Sequence, residues 1–219
     1  MAYGNSFQRT TPAVLNLIII NAIVFIAQFL FGRADPERVY NLYALHNYMS
    51  PDFHWYQMIT HMFMHLNFMH LLVNMFGLWM FGSLVEKVWG PKRFLIFYLV
   101  CGLGAALFEQ GIFWYESRFM DPIIFQQDLV SVSLGASGAI MGVLAAFGYL
   151  FPNSQMMIIP IPVPVKAKWV VLGIIAIDFF SGVSRSAGDN VAHFAHVGGA
   201  LTGFLIVFFQ NRMNRKTFY

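Results

Sequence analysis

Charge is what this sequence has least of: Asp, Glu, Lys and Arg make up 11% of its 219 residues. Soluble domains carry about 25%, so an ordinary water-facing surface is excluded over most of the chain. Cysteine is nearly absent. The lone Cys101 lies in an apolar run, which rules out an intramolecular disulfide and reads as a small buried hydrophobe. The first apolar stretch, Ala13 to Phe31, lacks a strongly basic leader and a small-x-small cleavage site. It is expected to be a membrane helix rather than a removable signal. Internal repeats and a separate soluble domain are also missing. The net charge is only +3, with the cations in loops and the C-terminal tail, so a nucleic-acid partner is not expected.

What is present is apolar and aromatic: 58% hydrophobic, 17% Phe, Trp and Tyr, with a mean hydropathy of +0.61. The length suits one domain, 1–219, with short tails at about 1–12 and 211–219. Six spans are predicted, at about 13–31, 58–82, 94–115, 136–151, 168–183 and 190–210. Helices are expected throughout, because lipid offers no partner to open backbone groups. The fourth and fifth spans are short. The fourth begins at Gly135-Ala136-Ser137-Gly138, as though the chain entered it from below the membrane surface.

Cations orient the bundle. With the N-terminus in the cytoplasm, Arg9, Lys87, Lys92, Arg93, Lys166, Lys168, Arg212, Arg215 and Lys216 lie inside, against Arg33, Arg38, Arg118 and Arg185 outside. Most acids (Asp35, Glu37, Asp52, Glu116, Asp121, Asp128, Asp189) then fall outside. Ser137 then begins an inward-running helix, the helix carrying His196 also runs inward, and both residues lie toward the outer leaflet. The loop at about 32–57 carries Tyr40, Tyr43, Tyr48, Phe53, Trp55 and Tyr56 and is expected to lie in the outer interface. Pro160-Ile161-Pro162-Val163-Pro164 reads as a stiff, extended cytoplasmic connector.

Polar groups inside a membrane are costly and mark function by default. Serine is a weak nucleophile until a neighbouring base takes its proton, and His196 lies about two turns into span 6. For the two to meet, their helices must pack closely. Gly138 and Gly142 on span 4, with Ala195, Gly199 and Gly203 on span 6, supply matching small-residue ridges. Taken alone, the GASG run is better read as an ordinary packing face with a filler hydroxyl. Span 2 adds His70 and Asn74, one turn apart on one face. Together with the Ser137 backbone N–H they can donate to an oxyanion. Helical periodicity turns His70 about 140° from His65, so His61 and His65 read as a separate, structural pair of hydrogen-bonders.

These residues resemble the rhomboid family of intramembrane serine proteases. The similarity runs from about Thr60 to Gly203: His65-x4-His70-x3-Asn74, Glu86-Lys87-x2-Gly90, Arg93-Phe94 and Tyr98, then Gly135-Ala136-Ser137-Gly138 and Ala195-His196-x2-Gly199-x3-Gly203. The resemblance implies an all-α polytopic bundle of six transmembrane helices with a water-filled cavity open to the outer face. It implies a Ser137–His196 dyad, an oxyanion hole of His70, Asn74 and the Ser137 N–H, and substrates that are single-pass transmembrane proteins in the lipid bilayer. The glycines after His196, rather than His193, mark the motif histidine. Glu86 matches a structural residue bonding loop backbone. No aspartate aligns as a third member, and Asp178 is expected to be structural. Neither metal nor cofactor is required. A bacterial inner membrane is the expected setting.

Two positions depart from the family pattern. Tyr56-Gln57 stands where some members carry Trp-Arg, removing a cation that can anchor lipid phosphate. Met141 stands where some carry a tyrosine stacked on the histidine, and its thioether is expected to hold the ring less firmly. Two other readings remain: an inactive relative that binds membrane helices, and a metal or ion transporter using His61, His65, His193 and His196. Against the second, no span pairs these histidines with a carboxylate on one helix face.

Overall fold

The computed structural model describes residues 11–120, 129, 131–158, 161–184 and 192–213. Arg9, Asp121, Asp128, Pro160, Arg185, Asp189, Arg215 and Lys216 lie outside these, as do the outer parts of both tails. The described chain is mostly helical. Helices α1 (Pro12–Phe31), α4 (Phe68–Trp89), α5 (Pro91–Phe119), α7 (Ala167–Ser184) and α8 (His193–Met213) are long and apolar enough to cross a membrane. Two short helices, α2 (Pro36–Tyr43) and α3 (Gln57–Thr60), lie between α1 and α4, and α6 (Ser137–Leu150) has only 14 residues. The peripheral helices turn large apolar side chains outward, such as Ile23, Ile26 and Phe29 of α1 and Ile177 and Phe180 of α7. That is the pattern of a bundle solvated by lipid.

Helix α6 is the exception: ten of its residues are buried, Gly138 to Gly148 with few breaks. It is the hub, packed against α5, α7 and α8. The glycine ridges inferred from the sequence mesh here. A β-carbon on Gly203 would lie 2.6 Å from the Gly142 Cα, and one on Gly199 would run into the Gly138 carbonyl. On the other flank, a β-carbon on Gly142 would meet the Cys101 side chain, and one on Gly138 would lie 2.7 Å from the Ala105 Cβ. Backbone therefore lies on backbone between α6 and α8, with the buried Cys101 packed beneath as a small hydrophobe.

The second span differs from its expected limits of 58–82. The chain from His61 to Phe63 is a single tight turn, and the helix starts only at Phe68, capped by the Asn67 side chain, which accepts from the His70 N–H at 2.8 Å. It then continues to Trp89 through a wide turn at Leu78–Gly82. Gln28 of α1 explains the late start. Its amide accepts from the His65 N–H at 2.9 Å and donates to the His65 carbonyl at 3.0 Å, holding that peptide out of helical register.

Glu86, at the far end of α4, bonds a helix start rather than a loop. Its two carboxylate oxygens accept from the Ala13 and Val14 N–H groups at 3.0 and 2.8 Å. These are orphan donors of the first turn of α1, and a negative charge there also complements the helix dipole. The aromatic loop is ordered around Gln57, which is fully buried. Its side chain accepts from the His46 and His54 N–H groups and donates to the Asn41 and Asp52 carbonyls. The position read as a missing lipid anchor is thus the hydrogen-bonding centre of the loop. Strand β1 (Leu45–His46) ties the loop to β2 (Val132–Ser133), just upstream of Ser137. The proline-rich connector is extended, as expected, but forms one strand of a hairpin, β3 (Gln155–Ile158) with β4 (Ile161–Lys166). The hairpin is two-stranded, so prolines on β4 can face its open edge.

Glu86→Ala should lower stability by about 1–3 kcal/mol by stranding two buried N–H groups, read as a reduced thermal midpoint in detergent. Gly203→Ala should cost a similar ~1–3 kcal/mol through overpacking. Gly173→Ala, where an added methyl meets nothing within 4 Å, should be neutral or stabilising in the same assay.

Candidate active site

Ser137 is the first residue of α6. The chain reaches it through Gly135 at φ +128°, a backbone conformation that side chains other than glycine's rarely adopt, and the Gly135 N–H donates to the His61 carbonyl at 2.9 Å. No side chain caps α6. Its first N–H groups have no partner within the helix and lie at the positive end of the dipole, beside the serine.

His196 Nε2 lies 2.7 Å from Ser137 Oγ, across the glycine seam between α6 and α8. Helix α8 begins at His193, so His196 sits in its first turn and not two turns in. Asp178, from the buried face of α7, places one oxygen, Oδ1, 3.1 Å from His196 Nδ1 and 2.8 Å from His193 Nδ1. The sequence reading had set aside both Asp178, as structural, and His193. Eighteen residues and a change of helix separate Asp178 from His196, so spacing alone could not join them. The available signal was a lone carboxylate in an apolar segment. Among the described residues, Asp178, His193 and His196 also form the one group of three whose ligand atoms, within 4.8 Å of one another, could hold a metal ion. In the structure those atoms are spent on the two hydrogen bonds.

His70 approaches from the other side. Its Nδ1 accepts from the Leu66 N–H at 3.3 Å, which leaves the ring proton of the neutral histidine on Nε2. A β-carbon on Gly135 would lie 3.0 Å from His70 Nε2 and 3.5 Å from Ser137 Oγ. The glycine therefore keeps open a gap bordered by the histidine N–H and the serine hydroxyl. Asn74 is buried one turn further along and its side-chain amide donates to the His70 carbonyl at 3.0 Å, that side chain's one hydrogen bond among the described residues. Half of its donor capacity is thus spent on its own helix.

The other histidines divide differently from the expectation. His65 is outside the helix, so the 140° argument does not apply, and its ring meets that of His70 edge-on at 5.2 Å. Its backbone N–H and carbonyl bond Gln28, while its ring is buried against that of His70. His61 bonds the Gln57 carbonyl at 2.7 Å, as a structural residue should. It precedes the membrane helix, and burial lowers its pKa to about 4, keeping it neutral. Met141 is buried with Leu144, Ala145, Val171 and Ala200, and among the described residues the one hydrogen bond of His196 Nδ1 is to Asp178.

Comparison with known proteins places this arrangement. Residues 52–212 match the family model of the rhomboid domain. The chain is 30% identical over 201 residues to rhomboid protease AarA of Providencia stuartii, covering 88% of this chain and 70% of that protein. It is 32% identical over 154 residues to the mitochondrial rhomboid protein 1 of Saccharomyces cerevisiae, covering 70% of this chain and 41% of that one. To rhomboid protease GluP of Bacillus subtilis it is 27% identical over 200 residues, 90% of this chain and 35% of that one. The chain thus spans less than half the length of two of these three relatives. With the family model matched over residues 52–212 and 30% identity to AarA across most of both chains, this multi-pass membrane chain belongs to the rhomboid family.

Proposed function

We propose that this chain is an intramembrane serine endopeptidase that cuts transmembrane protein substrates through an acyl-enzyme. The observation that carries the reading is the 2.7 Å approach of His196 Nε2 to Ser137 Oγ, made by two separate helices. A chance contact is a poor account of it, because the close Gly138–Gly199 and Gly142–Gly203 approaches in the buried seam between α6 and α8 set this distance.

In this mechanism a substrate helix unwinds locally, because a helical scissile carbonyl is hydrogen-bonded and shielded. Ser137 Oγ attacks the carbonyl carbon while His196 accepts its proton. The oxyanion is held by the Ser137 backbone N–H, by His70 Nε2–H across the gap at Gly135, and by the remaining N–H of Asn74. Each such donor is worth roughly 2.7–4 kcal/mol in soluble proteases. His196 then delivers the proton to the leaving amine. Water, deprotonated by the same imidazole, hydrolyses the ester and returns the serine. Neither metal nor cofactor enters this scheme.

The charge distribution supports cytoplasmic termini and a site opening to the other side of the membrane. A cysteine replacing the exposed Trp55 should then react with a membrane-impermeant maleimide added to intact cells, and one replacing Lys168 should not; buried Cys101 keeps the background low. The reverse pattern would invert the topology.

For the chemistry, wild-type protein in detergent should be labelled by a fluorophosphonate and should cleave a model transmembrane substrate. Ser137→Ala and His196→Ala should abolish both. A wild type that is neither labelled nor active would sink the protease reading and favour a helix-binding relative.

A further inference from the structure

The geometry points to Asp178 as the positioning residue of this site. We propose that one carboxylate oxygen, shared by His193 and His196, fixes the tautomer and orientation of His196 and so completes a chain from Ser137 through His196 and Asp178 to His193. The proposal rests on the protease reading above and goes beyond its dyad.

A carboxylate on an apolar helix is expensive to desolvate. Ile177, Phe179 and Phe180 on either side are lipid-exposed, whereas Asp178 is buried toward the bundle. A purely structural tie between α7 and α8 would be met by His193 alone, which makes the shorter bond, at 2.8 Å. The bond to His196 at 3.1 Å is the one such a tie does not need. It falls on Nδ1, the ring nitrogen opposite the one that faces Ser137.

A carboxylate accepts and cannot donate. Its contact with Nδ1 therefore places the ring proton there, and Nε2 is left with a lone pair aimed at the serine hydroxyl. When Ser137 gives up its proton, the resulting imidazolium faces a negative charge and keeps its orientation. His193, one turn earlier on the same face of α8, donates to the same oxygen. It therefore holds the carboxylate in place without touching the serine. Among the described residues, the titratable groups facing His196 are Asp178 from α7, His193 from its own helix and His70 from α4.

Asp178→Asn is the direct test. The amide can present an N–H to Nδ1 and so stabilise the wrong tautomer. Loss of the corresponding carboxylate in a soluble triad lowers kcat by about 10⁴. Here kcat on a model transmembrane substrate, and the rate of fluorophosphonate labelling, should fall by at least ~10²-fold with KM within twofold. His193→Ala should lose only a few-fold in kcat. A structural tie predicts the opposite pattern: both variants lose thermal stability alike and kcat per folded molecule holds. Asp178→Asn with kcat within threefold of wild type overturns the proposal and leaves the Ser137–His196 reading standing. If instead wild type is no more active than Ser137→Ala, both fall.

A measurement on the unaltered position guards against a variant that does not fold. Proton NMR of the wild-type protein should show a far-downfield imidazole N–H that persists in Ser137→Ala and His193→Ala and disappears in His196→Ala. Its absence from wild type also overturns the proposal.

Discussion

The approach of α6 to α8 is the constraint on which the rest of this structure depends. In lipid, helices gain little from burying apolar side chains against one another, because the solvent is equally apolar. Close packing must come from shape. At Gly138 against Gly199 and Gly142 against Gly203 there is no side chain to hold the helices apart, and backbone meets backbone. Only at that separation can the short side chain of a serine on one helix reach a histidine on the other. Cys101 and Ala105 fill the opposite flank of α6, so the hub cannot retreat from α8 without opening a void.

Polar contacts add direction to that packing. Two of them join elements that apolar contact alone would leave free to slide. Glu86 holds the start of α1 against the end of α4, and Gln28 holds the other end of α1 to the segment before α4. Through His61, that same segment accepts the Gly135 N–H and sets the turn from which Ser137 emerges. Positions far from the serine thus share in aiming it.

The sequence carried the bundle well, since apolar length alone decides where a helix is needed in lipid. The glycine ridges could be matched because small residues every fourth position have few other uses there. What it hid were partnerships between side chains and distant backbone. His61 to Asn67 has the composition of a helix, yet Gln28 and the Asn67 cap keep it out of one, and with that the faces assigned to His65 and His70 changed. Gln57 looked like the loss of a charge and is the centre of a loop. Asp178 looked like a stray carboxylate and faces two histidines. In each case the local residues were plain to read, and the partner lay on another element.

The shortness of α6 carries one more consequence. Fourteen residues at 1.5 Å each span about 21 Å, against a hydrocarbon layer of about 30 Å. A helix ending near one face leaves Ser137 some way inside the other. Any polypeptide that reaches the serine must bring its own peptide groups to that depth. A soluble loop would have to shed its water on the way, at several kcal/mol for each group left unpaired, whereas a segment already in the bilayer was dehydrated when it was inserted. For the proposed endopeptidase, depth then favours chains by where they reside before any side chain is read.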